Sequence, residues 1–241
     1  LAHCKAQGKI GSGFDISAAV FGSQVYIRRD PQSLSETITV VDKVTPSELY
    51  SIVSKSPWSG VQRKFLLPPG LHLILGECGK DMHTVTSVRK VIEWRNQHRQ
   101  ESTAIFTELD ENNRRVIELF TKLHELASNY TDSYNAARIL CSQYTPSEWR
   151  SQAKQANLDE NALAVLSVFE DLRESFFKVR ANLREAGNKA GTPIEPSEMT
   201  ELLDYSMNNV PGILIAGCPG GSSCRSPQLF YLHLLTIFIL N

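Results

Sequence analysis

From about Ser102 to Ala190 the sequence is almost wholly helical by pattern, and that run limits what the chain can become. In "NRRVIELFTKLHELA", Val116, Leu119, Phe120, Leu123 and Leu126 fall on one stripe at the helical period. "NALAVLSVFEDLRESFFKVRANLREAG" does the same with Leu166, Phe169, Leu172, Phe176 and Val179. Stripes of this kind are far more often core than cofactor box, so Phe120, Leu172 and Phe176 are expected to be buried, as is Trp94 upstream. Outside the run the period changes. "QVYIRRD" alternates like a strand, "TITVVD" is a second strand candidate, and "PPGLHLILGECG" reads as a buried strand feeding a loop. "PGILIAGCPGG" reads as a strand entering a glycine turn. "TPSELYSIVSK" opens with the Thr-Pro-Ser start and early glutamate of a helix N-terminus. "TSVRKVIEWRNQHRQ" sets Val88, Val91, Ile92 and Trp94 near a helical period, and "GTPIEPSEMTELLDYSM" starts a shorter helix. Strands framing helices predict α/β or α+β layers rather than a pure bundle.

A length of 241 residues is one large domain or two modest ones. With 41% hydrophobic and 21% charged residues, the composition is that of a soluble globular protein. The net charge of -1 suggests neither a nucleic-acid nor a membrane-surface partner, though it leaves room for a local cationic pocket facing an anionic substrate. The cysteines, at 4, 78, 141, 218 and 224, form no CxxC pair and stand away from histidines at ligand spacing. They read as reduced thiols of an intracellular protein rather than as a zinc site. The closing "LFYLHLLTIFIL" is apolar but falls short of the ~20 residues that a spanning helix needs.

Chemistry concentrates near the start, in "AQGKIGSGFDISAAVFGSQVY". Its GKIGSG is not a Walker A loop, because the lysine stands in front and no Gly-Lys-Ser/Thr closes the run. The GxxGxG spacing, with no clear strand before it, also differs from a dinucleotide fingerprint. What remains is a set of favourable features for an anion: glycines that let backbone N–H groups approach, a helix N-terminus behind them, and Lys9. Asp15 stands among these donors, and on residue chemistry alone it serves equally well as a working carboxylate or as an acid favoured by the helix dipole. Lys9 alone is more simply a solvated loop lysine.

"AHCKAQGKIGSGFDISAAVFGSQVYIRR" resembles the AHxxAQGKxGSGFDxxxAVYGS segment of the phosphomevalonate kinase family, within the GHMP small-molecule kinase superfamily. Two further stretches agree in order: "LGECG…TVTSVRKVIEW" with a strand-loop-helix ending Val-Arg-Lys-Val-Leu-x-Trp, and "PIEPSEMTELLDYSMNNVPGILIAGCPGG" with the family's Pro-Ile-Glu-Pro to Gly-Gly region. The resemblance spans about residues 1 to 221. It implies an α+β fold of GHMP-kinase-like two-layer architecture, with a long helical insert in its C-terminal half. Residues 1–44 would be the remainder of the N-terminal kinase domain, 45–221 the C-terminal domain, and 222–241 an aberrant apolar tail. By the same resemblance Asp15 is the catalytic carboxylate, and Lys9, Ser12, Gly13, Gly217, Pro219, Gly220 and Gly221 line the substrate site. Arg28 and Arg29 are better read as a solvated strand end than as substrate ligands.

The implied reaction moves the ATP γ-phosphoryl group, with Mg²⁺, onto 5-phosphomevalonate, a small-molecule substrate; no nucleic acid, membrane or identified metal ligand is implied. The implied setting is cytoplasmic, with the peroxisome not excluded. The family's Gly-Leu-Gly-Ser-Ser-Ala ATP loop would precede Leu1, and the sequence after Gly221 departs abruptly from the family, as an altered reading frame, a retained intron or an alternative terminal exon would make it. The chain alone is therefore expected to be inactive, and its tail to pack poorly or to mimic an edge strand. Two rival readings are a mevalonate-type GHMP kinase and a catalytically dead piece that acts only in structure or interaction.

Overall fold

Small residues make the first helix, and a glycine ends it. In a computed structural model that describes residues 14–27, 43–55, 61–76, 84–218 and 235–240, α1 (Phe14–Phe21) stops at Gly22. There φ is 71°, and the amide donates to the Ala18 carbonyl at 2.8 Å, a left-handed turn that glycine adopts at little cost. The strand β1 (Gln24–Ile27) follows and pairs antiparallel with β2 (Val61–Lys64), with Gln24 opposite Lys64 and Ile27 opposite Val61. Ser17 Oγ donates to Gln24 Oε1 at 2.9 Å and ties helix to strand. Between the strands lies α2 (Pro46–Lys55), started by a capping box: the Thr45 amide donates to Glu48 Oε2 at 2.7 Å and the Glu48 amide to Thr45 Oγ1 at 3.3 Å. These elements belong to a first unit, Leu1–Leu66 with Pro227–Phe230; Leu67–Ser226 and Tyr231–Asn241 form a second. The TITVVD segment, Arg28 and Arg29 lie outside the described residues.

The second unit runs β3 (Leu71–Gly76), α3 (Thr84–Gln97), α4 (Arg99–Asn129), α5 (Thr131–Gln143), α6 (Trp149–Gln155), α7 (Glu160–Lys189), α8 (Ser197–Asn209), β4 (Ile213–Gly217) and β5 (Leu235–Leu240). Helices α4 and α7 pack along each other, and their predicted stripes are the core: Leu119, Phe120 and Leu123 meet Leu166, Phe169, Leu172 and Val179, all buried. Phe169 packs its ring near those of Tyr134 of α5 and Trp149 of α6, each ring centroid 6.5 Å away. The start of α7 is capped by Asp159, whose carboxylate accepts from the Ala162 amide at 2.7 Å. Trp149 Nε1 donates to the Tyr144 carbonyl at 2.9 Å, which satisfies the polar end of a fully buried ring.

Some expectations shift. Phe176 is only half-buried, its ring lying against Gly217 at the end of β4. Ile92 is exposed although Trp94 is buried, so the apolar face of α3 is narrower than its sequence suggests. Strand β3 is also not fully buried: Leu71 is, but Leu73 and Ile74 are 46% and 47% exposed. The reason is position, for the sheet order is β3-β5-β4 and β3 is an edge strand. The apolar closing segment supplies the centre of that sheet rather than an edge. In antiparallel register, Leu235 faces Gly76 and Leu240 faces Leu71, while on the other side Thr236 faces Gly217 and Ile239 faces Ile213. The rest of 222–241 lies outside the described residues. Helices gathered with antiparallel strands make the fold α+β, as predicted. Among the described residues no helix is long and apolar enough to cross a membrane.

Candidate functional site

Asp15 is the second residue of α1, in its first turn, where the unpaired amides and the helix dipole favour a carboxylate. It belongs to the first unit, and Gly217, the last residue of β4, to the second. Lys9, Ser12, Gly13, Pro219, Gly220 and Gly221 lie outside the described residues.

Around Gly217 the geometry is tight. A Cβ at this position would come within 2.8 Å of Phe176 Cε1 and 3.0 Å of its Cζ, so the absence of a side chain lets the ring close over the end of the strand. Gly217→Ala is expected to cost about 1–3 kcal/mol by forcing that ring aside, and Phe176→Leu in the same chain to recover most of it. Urea unfolding of the single and double variants checks this, and equal losses in both would show that the ring is not the obstacle.

Behind β4, α7 carries a stripe that the sequence did not reveal as special: Arg173, Phe176, Phe177, Arg180 and Arg184, spaced to share one helix face. Arg173 Nη1 donates to the Leu214 carbonyl at 2.9 Å and its Nη2 to Asn208 Oδ1 at 3.1 Å. Its guanidinium lies over the rings of Trp149 and Phe177, at 5.5 and 5.8 Å from their centroids. Burial pushes the Arg173 guanidinium down to about 10, still well above neutrality, so it remains a cation held by neutral acceptors and ring faces.

Two turns further along, Arg180 Nε and Nη2 grip Glu195 Oε2 and Oε1 at 3.0 and 2.7 Å, a two-pronged pair in which both side chains are 1% exposed. Arg184 Nη1 and Thr200 Oγ1 add 2.7 and 3.0 Å contacts to Glu195 Oε1. Arg180 Nη1 also pairs with Asp204 at 2.8 Å. Burial alone would raise the Glu195 carboxyl, but the bonds and charge of Arg180, joined by Arg184 and Thr200, outweigh it and hold the group below its usual range. Two cations and two anions cancel here, and the carboxylate's acceptors are occupied by protein donors, so this cluster is scaffold rather than an anion-binding surface.

Cys141 and Cys218 are not disulfide-bonded, and the other cysteines lie outside the described residues. Burial pushes the Cys141 thiol up and makes it inert. Among the described residues no three His, Cys, Asp or Glu side chains come together as a metal site.

The architecture is shared with a solved structure, a Lin0012 protein from Listeria innocua: TM-score 0.58 at 18% identity, over 98% of this chain and 49% of that one. No protein-family profile matches the chain. By sequence the chain is a relative of the phosphomevalonate kinases, which bears out the resemblance carried by its motifs. It is 35% identical over 222 residues to the peroxisomal phosphomevalonate kinase of Arabidopsis thaliana, covering 90% of this chain and 42% of that protein. Identity is 32% to phosphomevalonate kinase erg8 of Aspergillus fumigatus, over 91% of this chain and 39% of that protein. With the Candida albicans phosphomevalonate kinase it is 28%, over 92% and 44%. The chain thus spans about two fifths of the length of the curated relatives it matches.

Proposed function

We propose that the chain carries the acceptor half of a phosphomevalonate kinase, which transfers the γ-phosphoryl group of ATP to 5-phosphomevalonate and yields ADP and 5-diphosphomevalonate. The observation that carries this reading is similarity to three phosphomevalonate kinases across nine tenths of the chain. In this reading 1–44 belongs to the N-terminal kinase domain and 45–221 to the C-terminal one with its helical insert. Lys9, Ser12 and Gly13, with Gly217, Pro219, Gly220 and Gly221, line the acceptor site. ATP would supply the transferred group, and Mg²⁺ would offset its charge; no described residue is assigned to hold either. The proposed compartment is the cytoplasm, with the peroxisome as the alternative raised by the Arabidopsis relative.

The acceptor's chemistry narrows the role of Asp15. A phosphate monoester has its second pKa near ~6, so at neutral pH the attacking oxygen is mostly deprotonated already. A strong general base is less needed than in a kinase whose acceptor is an alcohol. Asp15 then positions Lys9 or the phosphate and removes a proton only from the monoanion. The test is ADP release with 5-phosphomevalonate and with mevalonate in parallel, using the longest natural polypeptide that contains this chain. Turnover with 5-phosphomevalonate in clear excess over mevalonate is expected; the reverse would assign a mevalonate-type kinase. In Asp15→Asn, activity lost at low pH and fully restored at high pH would show that proton removal is the main task.

A further inference from the structure

The buried ion cluster invites a question that stability does not answer. A buried arginine–carboxylate pair is often no more stabilising than apolar side chains of the same volume, so its presence asks what it specifies. Its partners answer in part. Arg180 and Arg184 come from α7, Glu195 from the connection between α7 and α8, and Thr200 and Asp204 from α8. The connection is pressed onto α7 at Gly187, where a Cβ would come within 2.6 Å of the Ile194 amide nitrogen and 2.9 Å of the Thr192 carbonyl. Neither backbone atom could swing away as a side chain does, which explains a glycine inside a helix that would otherwise favour alanine. Ile194 packs on Leu109, Val179 and Leu183. Its carbonyl receives the Cys218 thiol at 3.9 Å, immediately past the end of β4. From the other side the same helix face lays Phe176 on Gly217 and joins Arg173 to the carbonyls of β4.

We propose that the Arg180–Glu195–Arg184 cluster is a positioning device: by clamping the 192–196 connection onto α7 it fixes the end of β4 at Gly217 and Cys218, and with it the geometry offered to the phosphorylated acceptor. The last clause rests on the function proposed above; the clamp itself does not. Glu195 and Arg180 are positioning residues that act through Ile194 and Cys218. The geometry of one helix face makes this specific. Phe176, Arg180 and Arg184 succeed one another along α7, so the strand end and the connection are referred to a single rigid element.

The test measures backbone amide exchange in residues 213–218, with residues 162–172 of α7 as the internal reference, in the wild-type chain, Glu195→Gln and Gly187→Ala. Gly187→Ala leaves every charge in place and wedges the connection away from the helix. Both variants are expected to speed exchange at 213–218 by about tenfold or more, Glu195→Gln by weakening a buried charge-assisted contact and Gly187→Ala by displacing the connection, while 162–172 keeps its protection. Alkylation of Cys218 by iodoacetamide, followed on its own peptide, should accelerate in step. Protection at 213–218 within twofold of wild type in both variants overturns the clamp, and so does loss that only tracks 162–172. Should Glu195→Gln not fold, Gly187→Ala decides alone. Calorimetry with 5-phosphomevalonate separates the two readings. If wild type binds and both variants bind at least tenfold more weakly, the positioning role extends to the acceptor; unchanged affinity in variants with a loosened strand end overturns that extension. If wild type does not bind, the proposed function fails while the exchange data still decide the clamp.

Discussion

Replacing Phe169 by alanine is expected to lower the free energy of unfolding by about 3–5 kcal/mol, the range for a large aromatic removed from a closed core. Phe169 is fully buried on α7, with the rings of Tyr134 and Trp149 each 6.5 Å away, centroid to centroid. Both neighbours are held by their polar ends: Tyr134 Oη donates to the Pro69 carbonyl at 2.7 Å, and Trp149 Nε1 to the Tyr144 carbonyl. Neither ring can collapse into the space without breaking its own hydrogen bond, so the cavity persists and the loss belongs in the upper part of the range. Phe176→Ala, on the same stripe but half-buried, should cost distinctly less. Urea denaturation at neutral pH provides the comparison. A Phe169→Ala loss below about 1 kcal/mol, or one equal to that of Phe176→Ala, would mean that α7 is not packed on α5 and α6 as described.

The contrast between those two phenylalanines shows how far the sequence could be read. The 3.6-residue period placed Leu119, Phe120, Leu123, Leu166, Phe169 and Leu172 correctly, because amphipathic helices as long as α4 and α7 declare their buried face many times over. Periodicity says which residues share a face but not what covers that face along its length. Phe176 shares the stripe, yet its ring lies against Gly217 at the end of β4 and is only half-buried. Strands were harder. Residues 61–64 of β2, VQRK, are polar and few, with nothing to mark them beyond their pairing to β1. The central place of β5 depends on partners some 20 and more than 150 residues away in sequence, which no local pattern encodes. Of the candidate site, the motif at Asp15 was legible as chemistry. The buried arginines of α7 were not, since Arg173, Arg180 and Arg184 look like ordinary charged positions until Glu195 and the carbonyls of β4 are brought to them.

Glu195→Ala should destabilise the chain by about 3 kcal/mol at pH 7, the lower end of the range for breaking a buried ion pair, and the loss should carry a pH signature. The magnitude follows from what is left behind. Arg180 remains 1% exposed with the half-exposed Asp204 as its counter-charge and only the Met207 sulfur and the Phe177 ring besides, so its charge is desolvated and largely uncompensated. The sign follows from the carboxyl. Glu195 is held below its ordinary value of 4.5 in the folded chain, so it binds its proton less readily there than when unfolded. Its contribution is therefore fully present above about pH 4.5 and is lost as pH falls through the lower folded value. Other carboxylates held low, such as Glu48, Glu148 and Asp159, are common to wild type and variant and cancel in the difference. The gap between the two proteins should thus be constant from neutral pH down to about 4.5 and then narrow, because the wild type alone loses the ionised partner of Arg180. Urea midpoints measured at half-unit steps from pH 7 to pH 3 trace that gap. A difference that stays flat across the acid range would show that the carboxylate's charge contributes nothing and that Glu195 is retained for its volume alone.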